Sequence, residues 1–315
     1  MTFDKRILYE IARRYYELGC TQQEIGKNLG ISRSQISRAL RQAREAGIVL
    51  LKVIDPGVDH SDIELALKDR FDLEGAVVIA GGIEAPRLLA QSLGSAAARY
   101  VVRCVKEQSV VGVSWGATLR EFAVELGNVG SPSLNVTVVP LLGGLGQVAA
   151  DLQVNELASR VARALGGINV YLHAPSLVDT PGAKAAIMAD SNIKKIVDLW
   201  QEVDVALVGI GTFRRPSTLL EKGGFPDSEL VELKRRGAVG DLCMRFFDID
   251  GSAVDTELNA RIIGVTLEEL RNIKRVIAVA GGINKAEAIL GALRTGAIDV
   301  IITDADAARE VMTLK

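Results

Sequence analysis

Two glycine-bearing segments carry the polar residues best suited to holding an anion. Gly112-Val113-Ser114-Trp115-Gly116-Ala117-Thr118-Leu119 runs from an apolar stretch through small residues into a helical pattern. Backbone N–H groups at such a helix start, with the Ser114 and Thr118 hydroxyls, suit a phosphate. The same residues also make an ordinary strand–helix turn in which Gly116 serves only tightness. Gly281-Gly282-Ile283-Asn284-Lys285 repeats the layout. Lys285 falls in the first helical turn, either as an anion ligand or as a solvated helix residue. Gly209-Ile210-Gly211-Thr212 reads as a strand-end loop able to line a pocket. Asp241 and Asp248 can accept hydrogen bonds from sugar hydroxyls, or they serve as turn and cap residues.

Other chemistries lack their parts. Gly144, Gly146 and Ala149 match the loose dinucleotide pattern G-x-G-x-x-A. The next apolar run ends at His173-Ala174-Pro175, where a dinucleotide site needs an acidic residue, so no such cofactor is expected. His60 and His173 are the only histidines, and neither stands in a nucleophile-and-base motif with Ser114. Three scattered cysteines, Cys20, Cys104 and Cys243, offer neither a disulfide pattern nor a metal motif. No metal and no cofactor are expected.

A second group of polar residues lies near the N-terminus. Thr21-Gln22-Gln23-Glu24 and Ser32-Arg33-Ser34-Gln35 are both capping boxes. Each opens a short helix, and only Gly30-Ile31 separates Leu29 from the second cap. Helices joined so tightly cross at a large angle, as in a helix-turn-helix, with Gly26 at the close approach. The later helix then presents Arg33, Ser34, Gln35, Ser37, Arg38 and Arg41 outward. Polar residues at its start can reach base edges, while Arg38, Arg41 and Arg44 can reach phosphates. Thr21 and Gln22 stand at the start of the helix before it.

Charge supports that reading once it is divided. The 315-residue chain carries a net −2, which alone argues against nucleic acid. Its first 52 residues hold ten basic and five acidic residues, so the remainder carries −7. A basic head precedes an acidic body.

The elements that position these residues follow from periodicity. In the head, Ile7, Leu8, Ile11, Ala12, Tyr15 and Leu18 recur at helical spacing, Ile25 and Leu29 form a second stripe, and Ile36 and Leu40 a third. Residues 48–54 read as a strand, a wing or the first edge of the body, and Asp55-Pro56-Gly57 as a linker start. In the body, apolar runs read as buried strands at Ala76–Ala80, Val110–Val113, Val136–Leu142, Val170–Leu172, Val205–Ile210, Val276–Ala280 and Ile298–Ile302. Helical patterns fill most of the intervals. This alternation predicts an α/β fold with a mostly parallel sheet covered on both faces and ligands at the strands' C-terminal ends. The expected domains are 1–54 for the helix-turn-helix and 55–315 for the body. Neither a secretion signal nor a continuous apolar span is visible, so a cytoplasmic protein without membrane contact is expected.

Taken in order, several motifs resemble the SorC family of bacterial sugar-responsive transcriptional regulators. They are Tyr15-Tyr16, Thr21-Gln22-Gln23-Glu24-Ile25, Leu29-Gly30-Ile31-Ser32-Arg33, Gly112-Val113-Ser114-Trp115-Gly116, the run from Val203 to Gly211, the run from Gly237 to Cys243, Arg245-Phe246-Phe247-Asp248, the run from Ala280 to Lys285, and Thr303-Asp304-Ala305-Asp306-Ala307-Ala308. The resemblance spans nearly the whole chain. It implies a body with a fold similar to sugar-phosphate isomerases and deaminases but no longer catalytic, a phosphorylated sugar as effector, and a dimer or tetramer on palindromic operator DNA. It also implies that Ser114, Gly116 and Thr118 hold the phosphate, that Lys285 adds charge, and that Gly144, Gly211 and Asp241 line the sugar pocket. Some members carry a lysine just before the glycine pair after the body's third strand, bonded covalently to a deoxy-sugar aldehyde. Leu142 stands there in this chain, which excludes that chemistry at that position.

The expected function is therefore a regulator, a repressor of a carbohydrate-catabolic operon. An enzyme with an added DNA-binding head is the alternative, since Asp241 or Asp248 could serve as a general base. A pure DNA coater leaves the acidic body without a purpose.

Overall fold

The computed structural model describes residues 3–16, 18–49, 59–130, 133–146, 152–215, 217–222 and 224–315. Contacts divide the chain into two compact units, Met1–Pro56 and Gly57–Lys315.

The first unit holds α1 (Lys5–Tyr16), α2 (Gln22–Leu29) and α3 (Arg33–Glu45). Both capping boxes form: Thr21 accepts from the Glu24 N–H, Ser32 accepts from the Gln35 N–H, and each third residue reaches back to its cap. Gly26 is required at the turn, because a Cβ there would sit 2.6 Å from the Ile31 carbonyl oxygen. The core is Leu8, Ile11, Ala12, Ile25, Ile36, Ala39, Leu40 and Ala43. Four residues of the expected stripes lie outside it, of which Tyr15 is partly buried against its edge. Ile7 is 46% exposed, on the flank of the Leu8–Ile11–Ala12 stripe; Leu18 is 60% exposed, beyond the end of α1; and Leu29 is exposed at the last turn of α2. Most of the strand read over 48–54, and the linker residues 55–57, lie outside the described residues.

The second unit runs α4 (Ser61–Phe71), β1 (Gly75–Ile79), α5 (Pro86–Cys104), β2 (Val110–Val113), α6 (Ala117–Val129), β3 (Thr137–Pro140), α7 (Val154–Ala164), β4 (Ile168–Asn169), α8 (Pro181–Ala189) and α9 (Ser191–Asp198). It continues with β5 (Val205–Gly209), β6 (Gly211–Thr212), α10 (Thr218–Lys222), α11 (Asp227–Arg235), β7 (Gly240–Leu242), β8 (Arg245–Phe247), α12 (Leu267–Arg271), β9 (Val276–Val279), α13 (Ala286–Arg294), β10 (Val300–Asp304) and α14 (Ala305–Thr313). Among the described residues, seven strands form a parallel sheet in the order β1-β10-β9-β5-β2-β3-β4. Successive residues of the central strands enter opposite cores. Val205, Leu207, Ile277 and Val279 pack on one face, and Ala206, Val208, Val276 and Ala278 on the other. Burial on both sides is why these strands read as unbroken apolar runs.

One expected strand is displaced. Pairing with β3 uses Ile168–Asn169, not Val170–Leu172. Beyond Asn169 only the Val170 N–H still reaches β3, at the Val138 carbonyl. The Asn155 side chain then takes over, pairing with both the N–H and the carbonyl of Leu172 at 3.0 and 3.1 Å.

A small antiparallel sheet, β6-β7-β8, was not expected. Its β7–β8 hairpin pairs Leu242 with Arg245 and turns through Cys243 and Met244, with φ of 50° and 64°. Positive φ at both turn residues is the geometry that usually selects Asn-Gly. Arg245 is 7% exposed and donates to the carbonyls of Asn259, Ile262, Gly264 and Val265. Those carbonyls belong to the segment that bridges Leu142 through Gly264 and Leu177 through Ile262. Arg245→Met keeps much of the volume and strands three buried acceptors, the carbonyls of Ile262, Gly264 and Val265, while Lys184 still donates to that of Asn259. The expected loss is about 3 kcal/mol or more in urea unfolding, from unpaired groups at roughly 1–3 kcal/mol each. A loss below about 1 kcal/mol would mean that the loop finds its partners elsewhere.

Candidate functional site

Strand order reverses between β2 and β5. From β2 the chain proceeds outward to β3 and β4, and from β5 it proceeds the other way to β9 and β10. Ligands in open α/β sheets bind outside the strand C-termini at such a reversal. A cavity of about 520 Å³ lies there, lined by the loops after β1, β2, β5 and β9, by the start of α14 and by β7. That volume suits a small ligand.

Six of the seven expected body residues line it: Ser114, Gly116, Thr118, Gly211, Asp241 and Lys285. Gly116 is the N-cap of α6, with φ 139°, and no side chain caps the helix. The first N–H groups of a helix have no intrahelical partner, so those of Ala117, Thr118 and Leu119 are available at the pocket wall. Ser114 is more deeply placed. Its N–H bonds the Leu207 carbonyl at 2.9 Å, and its hydroxyl meets the Cys243 thiol.

Gly144 is not among the lining residues. Its N–H bonds the Ala174 carbonyl at 2.8 Å, and its carbonyl accepts from Ser176. It follows β3, on the far side of β2 from the reversal, so its loop turns toward the end of β4. Ala149, the last residue of the dinucleotide-like pattern, lies outside the described residues.

Asp241 is 4% exposed. One carboxylate oxygen, Oδ2, accepts the Met244 N–H at 2.8 Å and so holds the Cys243–Met244 turn. The other, Oδ1, has no hydrogen-bond partner among the described residues. It lies where a Cβ on Gly211 would stand, in the paired strand position, so only glycine admits the carboxylate. Burial raises the Asp241 carboxyl to about 6, against the pull of the Met244 N–H and the Lys285 charge. Lys285 donates to the Ile210 carbonyl at 2.7 Å, and burial lowers it to about 8 while Asp241 opposes. A buried acceptor with a free oxygen and a cation thus share a pocket with open helix amides. That is a set for a ligand with hydroxyls at one end and an anion at the other.

Sequence reading missed Cys243, Ser217, Asn284, Asp304 and Asp306, which also line the cavity. Cys243 is buried, which pushes its thiol up to about 12 and leaves it protonated. The strand-end position of Asp304, inside a motif already singled out, was the available signal.

The residues expected to face DNA lie on α3 and at the start of α2. Arg33, Ser34, Ser37, Arg38 and Arg41 are exposed on α3, away from the Ile36–Ala39–Leu40–Ala43 core face. Gln35 differs: its Oε1 accepts from the Ser32 N–H at 2.9 Å and the Ser32 hydroxyl at 3.0 Å, so that oxygen serves the cap. Thr21 and Ser32 are likewise engaged as caps, and Gln22 is half-buried. Among the described residues no His/Cys/Asp/Glu group suited to a metal is present, and no helix is long and apolar enough to cross a membrane.

Residues 55–313 match the sugar-binding domain family "Sugar-bind", and residues 10–46 match sigma-70 region 4. The chain is 33% identical over 310 residues to the deoxyribonucleoside regulator of Bacillus subtilis (strain 168), covering 98% of this chain and 97% of that one. It is also 33% identical over 308 residues to the sorbitol operon regulator of Klebsiella pneumoniae, covering 97% of each. The crystal structure of the full-length sorbitol operon regulator SorC from Klebsiella pneumoniae superposes with a TM-score of 0.75 at 32% identity, over 98% of this chain and 99% of that one.

Proposed function

The chain belongs to the SorC family of transcriptional regulators, pairing a DNA-binding helix-turn-helix with a sugar-binding body, and from that premise we propose that it represses a carbohydrate-catabolic operon under control of a phosphorylated sugar. Residues 1–54 are the DNA-binding domain and residues 55–315 the effector-binding and oligomerisation domain. The observation that carries the effector reading is the unpartnered Oδ1 of buried Asp241, in one pocket with the open amides of α6 and with Lys285. Asp241 accepts the sugar hydroxyls. The Ala117 and Thr118 amides and the Thr118 hydroxyl take the phosphate, beside Gly116 and above Ser114. Lys285 supplies positive charge at the pocket of a body whose net charge is negative.

The head reads a palindromic operator as a two-fold oligomer, a dimer or a tetramer, since symmetric half-sites demand a symmetric protein. The effector shifts repression only by preferring one arrangement of the oligomer over the other.

A panel of sugars and their phosphate esters, screened by thermal shift on the full chain with and without operator DNA, tests the reading. A ligand that binds only the folded state raises its melting temperature. Phosphorylated sugars should stabilise the protein and release operator DNA, and their free sugars should do so far less. Lys285→Ala should weaken the phosphorylated ligand about tenfold or more, as expected for a charge-assisted contact, and the free sugar little. Equal losses for both would remove the phosphate from this pocket, and turnover of any ester would favour the enzyme alternative.

A further inference from the structure

The motif Thr303-Asp304-Ala305-Asp306 lies where β10 passes into α14, and neither the pocket chemistry nor the DNA contacts use it. Asp304 is 2% exposed. Its Oδ1 is an ordinary N-cap, accepting the N–H groups of Asp306 and Ala307, each at 3.1 Å. Its Oδ2 does something a cap does not need. It accepts the Gly282 N–H at 2.5 Å, from the loop after β9. A Cβ on Gly281 would fall 2.4 Å from that oxygen, so glycine is what lets the carboxylate in. The Gly282 carbonyl in turn accepts the Lys285 N–H at 2.9 Å and closes the turn Ile283–Lys285. From the end of that turn Lys285 reaches across to the Ile210 carbonyl. Asp306 treats the other lip alike, its Oδ2 accepting the Gly82 N–H at 2.5 Å.

We propose that Asp304 is a positioning residue for the effector site: its second carboxylate oxygen fixes the Gly281–Lys285 loop so that the Lys285 ammonium stands in the pocket. The proposal rests on the reading of Lys285 as a phosphate ligand. Asp304 touches no ligand itself. It acts along the path Asp304–Gly282–Lys285, and without it the loop is tied to α14 by no other hydrogen bond of the described set.

Two substitutions separate this role from capping. Asn and Ser are both good N-caps, so Asp304→Asn and Asp304→Ser keep α14 started. Asn turns an N–H toward the Gly282 N–H, and Ser is too short to reach it. Both proteins are compared with wild type as the full chain, with inorganic phosphate as the probe in calorimetry. Lys285 is followed independently by NMR of 13Cε-labelled lysine, its resonance assigned by its loss in Lys285→Ala. Phosphate affinity should fall about tenfold in both variants, the size of a lost charge-assisted contact. Lys285 should titrate near 8 in wild type and move toward its ordinary 10.5 in both variants as the loop releases it to water. Asp304→Asn combined with Lys285→Ala should bind phosphate no more weakly than Lys285→Ala alone. Wild-type affinity with an unmoved Lys285 titration in both variants overturns the proposal, as does full additivity in the double variant. If the wild type takes up no phosphate, the phosphate reading falls by itself, and the Lys285 titration still decides whether Asp304 positions it.

Discussion

Asp241→Asn should abolish the response to effector while leaving the protein at least as stable at pH 7. Asparagine keeps one oxygen to accept the Met244 N–H, so the Cys243–Met244 turn retains its anchor. The group replaced is the free Oδ1, whose place an N–H₂ donor takes beside Gly211. An acceptor for several hydroxyl donors is lost, and charge-assisted bonds at roughly 1.5–3 kcal/mol each put the loss of affinity at about 100-fold. Stability moves the other way. The Asp241 carboxyl lies near 6 in the folded protein against an ordinary 3.8, so the protonated form is the one that favours folding. That contribution is complete below about 3.8 and is lost as pH rises through about 6. At pH 7 the wild type therefore carries a buried ionised carboxylate at a cost to stability, and the amide carries none. Lys285 mirrors it: lowered from 10.5 to about 8, its contribution is present above 10.5 and lost as pH falls through about 8. Both pocket charges are thus held against the fold at neutral pH, and a ligand that pairs them relieves the cost. Effector affinity should peak between about 6 and 8, falling below as Asp241 protonates and above as Lys285 loses its proton. Thermal melts across pH with and without ligand check both halves. A variant that still binds, or one that melts well below wild type at pH 7, would put the carboxylate's purpose in the hairpin rather than the ligand.

The same hairpin marks the limit of what the residues disclose in order. The parallel sheet was legible because its strands are buried on both faces and its loops return to glycine. The head was legible because capping boxes and a glycine turn are local chemistry. Strands β6 to β8 span only two or three residues each, too few for a period to register. Their turn uses Cys-Met where local preference asks for Asn-Gly, and the buried Asp241 carboxylate, three residues before Met244, holds it. The pocket followed the same division. Ser114, Gly116, Thr118 and Lys285 stand at strand ends that periodicity locates. Gly144 stands at one too, but only the strand order places β3 beyond the reversal, and strand order is not local. Asp304 acts across 22 residues of chain, through a bond that no spacing announces.

Strand order has no part in the head, where the second large effect is expected. Arg33→Ala should cost operator binding about 1–3 kcal/mol per half-site and leave binding to random DNA nearly intact, while Arg44→Ala should weaken both alike. Arg33 is the first residue of α3, the end from which a recognition helix meets base edges. Arg44 stands in the last turn, where a cation contacts the phosphate backbone without reading sequence. Its removal should lower the slope of log affinity against log salt by about one for each half-site engaged. The proposed two-fold assembly would multiply both effects. In a two-fold dimer every substitution acts at two half-sites, so a tenfold loss per half-site becomes about 100-fold on the palindrome. Titrating each variant against a full palindrome, a single half-site and random duplex, at several salt concentrations, separates the cases. Two variants with the same loss on all three DNAs would mean that α3 lies along the backbone rather than in the groove. A loss on the palindrome no larger than on the half-site would mean that only one head engages at a time.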